Sequence, residues 1–253
     1  MSSHPWEIYD ALLDGLPGDV VVRAAGRGPR WSRVLNSAGG LGSAWTMDVQ
    51  SRPTLVEGPL ESRPLRDVAA LVKSWNLAEA SIGQAAINSW YSREETAAAN
   101  GFEPTGEGIT WRQVFDPYRE MIVGKKVAVI GHFPFAEAAL ATAGEYICLE
   151  RNLQPGDWPD SACEYVLPEC DLVFISSSSF VNKTAPRLIE LSRQAHTVLV
   201  GPSTPLNPVL LEYGVDTITG FIAASSLSDP ASLAEMVPAG DIGPGFRVHR
   251  HRA

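Results

Sequence analysis

Cysteine is scarce in this chain, and its spacing excludes several classes of protein. The 253 residues include three cysteines, Cys148, Cys163 and Cys170, and none of them forms a Cys-x-x-Cys pair. A small, odd number of cysteines argues against a disulfide-stabilised secreted fold. Residues 1–6 also lack the basic start and apolar stretch of a secretory signal. We therefore expect a cytoplasmic protein.

Long hydrophobic runs and clusters of basic residues are absent as well. No run approaches the roughly 18 apolar residues that a membrane-spanning helix needs. The formal net charge is −9, and the 20 lysine and arginine residues do not cluster. An acidic chain without a basic patch is a poor candidate for binding nucleic acid or an anionic membrane. We expect the chain to bind a small molecule and to have no nucleic-acid or membrane partner. If the chain forms an oligomer, we expect a homodimer.

The chain is ordinary in composition, and its length suits one large domain or two small ones. Its character changes near residue 124, after a loop predicted over residues 92–110. We place the domain boundary in this linker, which gives domains 1–109 and 110–253.

The first half combines short strands with helices. Hydrophobic patterning predicts strands over residues 19–25 and 30–36 and helices over 65–75 and 77–91. The glycine-rich residues 39–46 are compatible with a third strand that another backbone or a ligand approaches closely. Asn88, in the second helix, either faces water or points into a cleft.

The second half alternates strands with helices. We predict strands over residues 126–131, 146–150, 171–176, 197–201 and 216–221. Helices are predicted over residues 137–143, 183–195 and 208–213, and a short helix over 110–123 that is interrupted near Asp116-Pro117. Continuous apolar strands separated by helices indicate a parallel sheet with both faces covered, and therefore an α/β fold. Ligands of such sheets bind outside the carboxyl ends of the strands.

The end of the first of these strands does not carry a dinucleotide motif. Gly131 is followed by His132 and Phe133, where Gly-x-Gly-x-x-Gly would be required. This departure argues against ordinary NAD binding. His132 is either a hydrogen-bonded loop residue or an acid–base group. Glu150 ends the next strand and lies where nucleotide-binding sheets carry a ribose-binding acid; a surface ion pair is the alternative.

Hydroxyl and amide side chains follow the next two strands. Ser176, Ser177 and Asn182 could cap the following helix or bind an anion near its N-terminus. Ser203 and Thr204 lie in a rigid, proline-rich loop. We predict His132 as the catalytic residue. The predicted cofactor-binding residues are Gly131, Phe133, Glu150, Ser176 and Ser177. The predicted substrate-binding residues are Asn88, Asn182, Ser203 and Thr204.

No metal site is predicted from the spacing of potential ligands. Cys163 and Cys170 are seven residues apart with a proline between them, which supports a preformed site only weakly. His249 and His251 lie near the C-terminus among arginines, and we interpret this segment as a frayed basic tail.

Several of these motifs together resemble a prokaryotic two-domain family labelled "putative heavy-metal chelation". They are VIGHFPF (129–135), LER (149–151), Asn182-x-Thr184, GPSTP (201–205) and IGQAAIN (82–88). The resemblance implies a small α+β domain similar to the N-terminal domain of enolase, followed by a Rossmann-like parallel-sheet domain. It also implies a site in the cleft between them. The four serines at 176–179 replace a Thr-Gly-Thr-like segment of the family.

Three functions are compatible with this resemblance and with the strand ends. The first is an enzyme of condensation or hydrolysis that helps make a pterin-, flavin- or siderophore-like metal chelator. The second is an enzyme that uses S-adenosylmethionine, with Glu150 on the ribose and the Gly131 loop on the amino-acid part. The third is a non-enzymatic binder of a metal chelate.

Overall fold

The computed structural model of the chain describes residues 4–106, 111–227 and 229–252. The strands are β1 (Val22–Arg27), β2 (Trp31–Asn36), β3 (Leu41–Trp45), β4 (Glu103–Pro104), β5 (Lys126–Ile130), β6 (Glu145–Glu150), β7 (Trp158–Pro159), β8 (Leu172–Ser176), β9 (His196–Val200), β10 (Thr217–Ala223) and β11 (Gly245–His251). The helices are α1 (Glu7–Asp14), α2 (Leu65–Ala69), α3 (Leu77–Tyr91), α4 (Glu94–Ala99), α5 (Ala136–Ala139), α6 (Cys163–Val166), α7 (Ala185–Leu191), α8 (Val209–Glu212) and α9 (Pro230–Ala239). Among these helices, none combines the length and the hydrophobicity that crossing a bilayer would require.

The first half is built on a small antiparallel sheet in the order β1-β2-β3. Helix α3 packs on β2 and β3, while α9, from the end of the chain, packs on β1 and β2. Successive residues of β2 point to opposite faces, so Val34 joins the large core while Leu35 packs in a separate cluster with Leu233 of α9. The small sheet therefore lies between helices from both halves of the sequence.

Glycine allows α3 to lie unusually close to β3. A Cβ atom added to Gly42 would lie 2.1 Å from the carbonyl oxygen of Ala85, and one on Gly40 would lie 2.0 Å from that of Ser89. The close approach of another backbone that the glycine-rich segment predicts is thus confirmed. Residues 77–91 also form the predicted helix. Asn76 caps its N-terminus, because the Asn76 side chain accepts the backbone N–H of Glu79.

The second half is built on an eight-stranded sheet in the order β4-β11-β10-β9-β8-β5-β6-β7. The six strands from β10 to β7 are parallel, and β11 and β4 extend the sheet in antiparallel pairing. The central strands carry buried apolar residues on both faces, such as Val127, Ala128 and Val129. This is the α/β architecture that the sequence predicts.

Some elements differ from the sequence predictions. The helix predicted over residues 65–75 divides into α2 and a 3-10 turn at Ala70–Lys73, and the residues predicted as a loop over 92–110 contain α4 and β4. The segment predicted as a helix over 110–123 begins outside the described residues and forms 3-10 turns at Trp111–Gln113 and Asp116–Tyr118, where Pro117 removes a backbone donor.

The prediction of a frayed basic tail is wrong. Residues 245–251 form β11, which pairs with β10 along seven positions. Val248 is buried, while the Nδ1 atoms of His249 and His251 lie within hydrogen-bonding distance of the hydroxyls of Thr105 and Thr217. Backbone pairing orders the strand, although its side chains are mostly polar.

Buried polar contacts join the two halves. The backbone N–H of Trp45 donates to Oγ of Ser203 at 2.8 Å, and Nε2 of Gln84 donates to the carbonyl of Ser203 at 3.1 Å. The Tyr9 hydroxyl donates to the carbonyl of Phe180 at 2.9 Å. The halves are therefore in direct contact where the Ser203 loop meets the small sheet. The predicted boundary between residues 109 and 110 lies outside the described residues.

We expect Gly42→Ala to destabilise the protein because the new methyl group would overlap the backbone of α3. Overpacking of this kind should lower the free energy of unfolding by about 1–3 kcal/mol or more. Gly18→Ala is the matched control, since no atom lies within 4 Å of the added Cβ, and it should change stability by less than about 1 kcal/mol. Urea unfolding measures both variants; equal stabilities would contradict the close packing.

Candidate functional site

The carboxyl ends of β5, β6 and β8 lie side by side in the middle of the large sheet. From β5 the chain continues to β6 and β7 on one side, whereas β8, β9 and β10 follow on the other. The strand order therefore reverses between β5 and β8, which is where ligands of open α/β sheets bind. We call the residues at these strand ends the carboxyl edge; they are residues 131–133, 150–151 and 176–179.

Gly131 makes the turn at the end of β5 possible. Its φ angle is +98°, a conformation that side chains disfavour. A Cβ atom at this position would also lie 2.9 Å from Cβ of Ser176. Glycine is therefore required here for the chain to turn beside the end of β8.

Glu150 holds the same turn from β6. Its carboxylate accepts the backbone N–H of His132 at 2.9 Å, that of Arg151 at 2.6 Å and that of Asn152 at 2.9 Å. The ion pair of this segment is instead formed by Arg151 with Asp160. Glu150 therefore ties the ends of β5 and β6 together, and its predicted contact with a ligand hydroxyl stays a prediction.

His132 meets two further donor groups that the sequence predictions missed. Its Nδ1 lies 3.2 Å from Oδ1 of Asp157 and 3.9 Å from Sγ of Cys148. Cys148 lies in β6 and is 5% exposed, and Asp157 lies in the β6–β7 loop with its side chain 4% exposed. The His132 side chain is 28% exposed, so solvent reaches the group through His132, while Cys148 and the side chain of Asp157 are buried. We call these three residues the His–Cys–Asp cluster.

The surroundings of this cluster favour a charged Asp157 carboxylate and a neutral Cys148 thiol. Burial raises the pKa of the Cys148 thiol to about 12, and the hydrogen bond and charge of Asp157 act in the same direction. Burial also acts to raise the pKa of Asp157, but hydrogen bonds from Gln154, Cys148 and His132 outweigh it and hold the pKa below its ordinary value. Without another ligand, a carboxylate thus lies beside a protonated thiol at neutral pH.

Phe133, which is predicted to bind a cofactor, packs instead against other aromatic side chains. Its ring lies 5.8 Å from the ring of Phe115 and 6.0 Å from that of Phe135, centroid to centroid. Phe115 also packs edge-on against Phe174 of β8. The aromatic side chains after Gly131 therefore extend a hydrophobic cluster over the sheet.

The four serines lie in different surroundings. Oγ of Ser176 is 3.0 Å from Oγ of Ser178, and Ser176 is partly exposed at the edge. Ser177 is fully buried, and its hydroxyl contacts the carbonyl of Val200 and the hydroxyl of Thr204. Of the two predicted cofactor-binding serines, only Ser176 is accessible at the carboxyl edge.

The four predicted substrate-binding residues make contacts within the protein. Asn88 is neither at the surface nor open to a cleft, because it is fully buried and donates to the carbonyl of Ser43 at 2.8 Å. Asn182 accepts the backbone N–H and the hydroxyl of Thr184 in the turn before α7, although no side chain caps that helix. Ser203 and Thr204 are also buried, and they join neighbouring segments. Polar side chains in this loop therefore satisfy buried backbone groups.

Comparison with known proteins identifies related structures. A family model described as "Putative heavy-metal chelation" (DUF364) matches residues 113–247, and a second model with the same description (DUF4213) matches residues 9–91. No curated protein matches the chain. A crystal structure of a DUF364 protein of unknown function from Desulfitobacterium hafniense has 37% identity and a TM-score of 0.85, with 98% of each chain covered.

A second solved structure agrees in fold. It is a DUF364 protein of unknown function from Pyrococcus horikoshii, with 21% identity, a TM-score of 0.78 and coverage of 98% of this chain and 99% of that one. The two-domain resemblance is thus confirmed at the level of family and fold. The chain belongs to the DUF364 family, whose description is putative heavy-metal chelation.

Proposed function

We propose that the carboxyl edge binds a small polar metabolite and that the chain is an enzyme acting on it. The observation that carries this proposal is the position of His132. His132 follows β5, one of the two strands between which the strand order reverses, and its partly exposed imidazole contacts the buried carboxylate of Asp157. Open α/β sheets bind their ligands at this point.

The contacts of His132 support a functional rather than a merely structural role. A carboxylate at Nδ1 selects the tautomer of the ring and leaves the opposite nitrogen available for a ligand. Glu150 fixes the backbone of the same residue. A ring held at both backbone and side chain is pre-organised for chemistry at its accessible face.

The reaction class follows from the family resemblance rather than from the geometry. Condensation or hydrolysis in making a pterin-, flavin- or siderophore-like chelator is the class we propose. The alternative of an S-adenosylmethionine enzyme finds less support, because Glu150 already accepts three backbone N–H groups and Phe133 packs on an aromatic cluster. A non-enzymatic binder of a metal chelate would bind at the same edge without turnover.

The state of the cysteines is consistent with a reducing compartment. Cys148, Cys163 and Cys170 are all buried and free of disulfides. We therefore propose that the protein works in the cytoplasm. Homodimerisation stays a prediction that sedimentation velocity would test.

We expect Glu150→Gln to destabilise the protein because one amide oxygen cannot replace the two carboxylate oxygens that accept N–H groups on either side. An unsatisfied N–H should lower the free energy of unfolding by about 1–3 kcal/mol. Glu145→Gln is the control; its exposed carboxylate lies 3.7 Å from Lys126, and its loss should cost less than about 1 kcal/mol. If urea unfolding shows no loss for Glu150→Gln, the carboxylate is free to serve a ligand.

Thermal unfolding against a fixed panel tests the proposed function directly. The panel contains a catechol carboxylate, a pterin, a flavin and S-adenosylmethionine. At a concentration 100 times its Kd, a true ligand stabilises the protein by about 2.7 kcal/mol, which is several degrees in Tm for a chain of this size. We expect His132→Gln to abolish the shift and His249→Gln to preserve it. Equal Tm shifts for both variants would show that the ligand binds outside the carboxyl edge, which would contradict the proposal.

A further inference from the structure

The His–Cys–Asp cluster brings three different donor atoms to one point of the fold. His132 follows β5, Cys148 pairs with Val129 inside β6, and Asp157 lies just before β7. One nitrogen, one sulfur and one oxygen atom from these side chains all lie within 4.8 Å of one another. Parallel pairing of β5 with β6 creates this convergence, since the residues are up to 25 positions apart in the sequence.

In the absence of a metal, His132 and Cys148 both hydrogen-bond to the carboxylate of Asp157. The imidazole nitrogen, the thiol sulfur and the carboxylate oxygen that take part are also the three kinds of atom that bind zinc in proteins. Loss of the protons between them would leave three metal-binding atoms within 4.8 Å of one another.

The distances fit a metal ion. In a tetrahedral zinc site, bonds of about 2.0 Å to nitrogen and oxygen and about 2.3 Å to sulfur place the nitrogen about 3.3 Å from the oxygen and about 3.6 Å from the sulfur. The corresponding separations are 3.2 Å from His132 Nδ1 to Asp157 Oδ1 and 3.9 Å to Cys148 Sγ. These two separations lie within a few tenths of an ångström of the tetrahedral values, and the sulfur and oxygen atoms lie within 4.8 Å of each other.

The surroundings of the cluster also favour a cation. Asp157 and Glu150 are the charged groups that act on the Cys148 thiol, and both are negative. Oδ2 of Asp157 accepts the backbone N–H of Gln154 at 2.9 Å, which fixes the carboxylate in the way that outer contacts orient metal ligands. The His132 side chain is 28% exposed, so solvent reaches the cluster on the histidine side.

We propose that His132, Cys148 and Asp157 bind one divalent metal ion of the zinc class, with a small molecule as the fourth ligand. The mixed nitrogen, sulfur and oxygen donors suit zinc, cobalt and related ions, and they do not suit calcium or magnesium. Three protein ligands and one open position are typical of catalytic zinc sites. The fourth ligand rests on the proposed function, whereas the three protein ligands do not.

The ion also sharpens the role of His132. A metal bound at Nδ1 takes the place of the proton between His132 and Asp157. The open coordination position then adds a second reactive group to the carboxyl edge. His132 would be a metal ligand through Nδ1, and its opposite nitrogen would still be available to a small molecule.

Titration of the untagged, reduced protein with Co²⁺, without any small molecule, tests the metal site. Thiolate ligation gives an intense charge-transfer absorption in the near ultraviolet that imidazole and carboxylate ligands do not produce. We expect this band to saturate at one equivalent. Cys148→Ser should abolish it, while the matched variants Cys163→Ser and Cys170→Ser, which also alter buried thiols, should retain it.

The other two ligands are tested by affinity. Loss of even an outer contact of a metal ligand weakens binding by roughly 10–100-fold, so His132→Gln and Asp157→Asn should each weaken Co²⁺ binding at least about tenfold. Circular dichroism and thermal unfolding of each variant show whether it folds. A wild-type titration without the band, or a band that survives Cys148→Ser, would overturn the proposal.

The metal site and the proposed function fail in different experiments. If Co²⁺ gives no thiolate band but the metabolite panel still shifts the Tm through His132, the metal proposal is wrong and the proposed function stands. If the band appears and no panel compound shifts the Tm of the metal-loaded protein, the metal site stands and the proposed ligand class is wrong.

Discussion

The pairing of β5 with a parallel strand on each side is the constraint on which the site depends. β6 and β8 pair with β5 over the same residues, so three strands end at one level. Gly131, in a left-handed conformation, then turns the chain beside Ser176, and Glu150 ties the turn to the end of β6. The backbone of His132 is therefore placed by strand pairing, by the Gly131 turn and by the Glu150 carboxylate.

A second set of close contacts joins the first half of the chain to the large sheet. Glycines at 40 and 42 allow α3 to pack against the small sheet at backbone distance. The small sheet then contacts the Ser203 loop after β9 through buried hydrogen bonds. The polar residues of that loop satisfy backbone groups at the contact between the halves. The strand ends therefore have two roles: those of β5 and β6 carry the candidate site, and the loop after β9 contacts the first half of the chain.

The sequence predicts the fold better than the site, for physical reasons. Strands such as β5 and β8 are continuous apolar runs, and α3 has a capping Asn76 and many alanines, the best helix formers. β11 was missed because Val248 is the one aliphatic residue within RVHRH, and its order comes from pairing with β10. Cys148 and Asp157 carry no local signal, since their partner His132 becomes a neighbour only through parallel pairing.

X-ray anomalous scattering at the zinc absorption edge tests the central claim most directly. Crystals grown with zinc should show one anomalous peak within about 2.0–2.3 Å of His132 Nδ1, Cys148 Sγ and an oxygen of Asp157, with further density at an open position. A difference map without a peak at these atoms, with the Nδ1–Oδ1 contact still at hydrogen-bonding distance, would contradict it. The cluster would then be a hydrogen-bonded Asp–His pair beside an inert thiol.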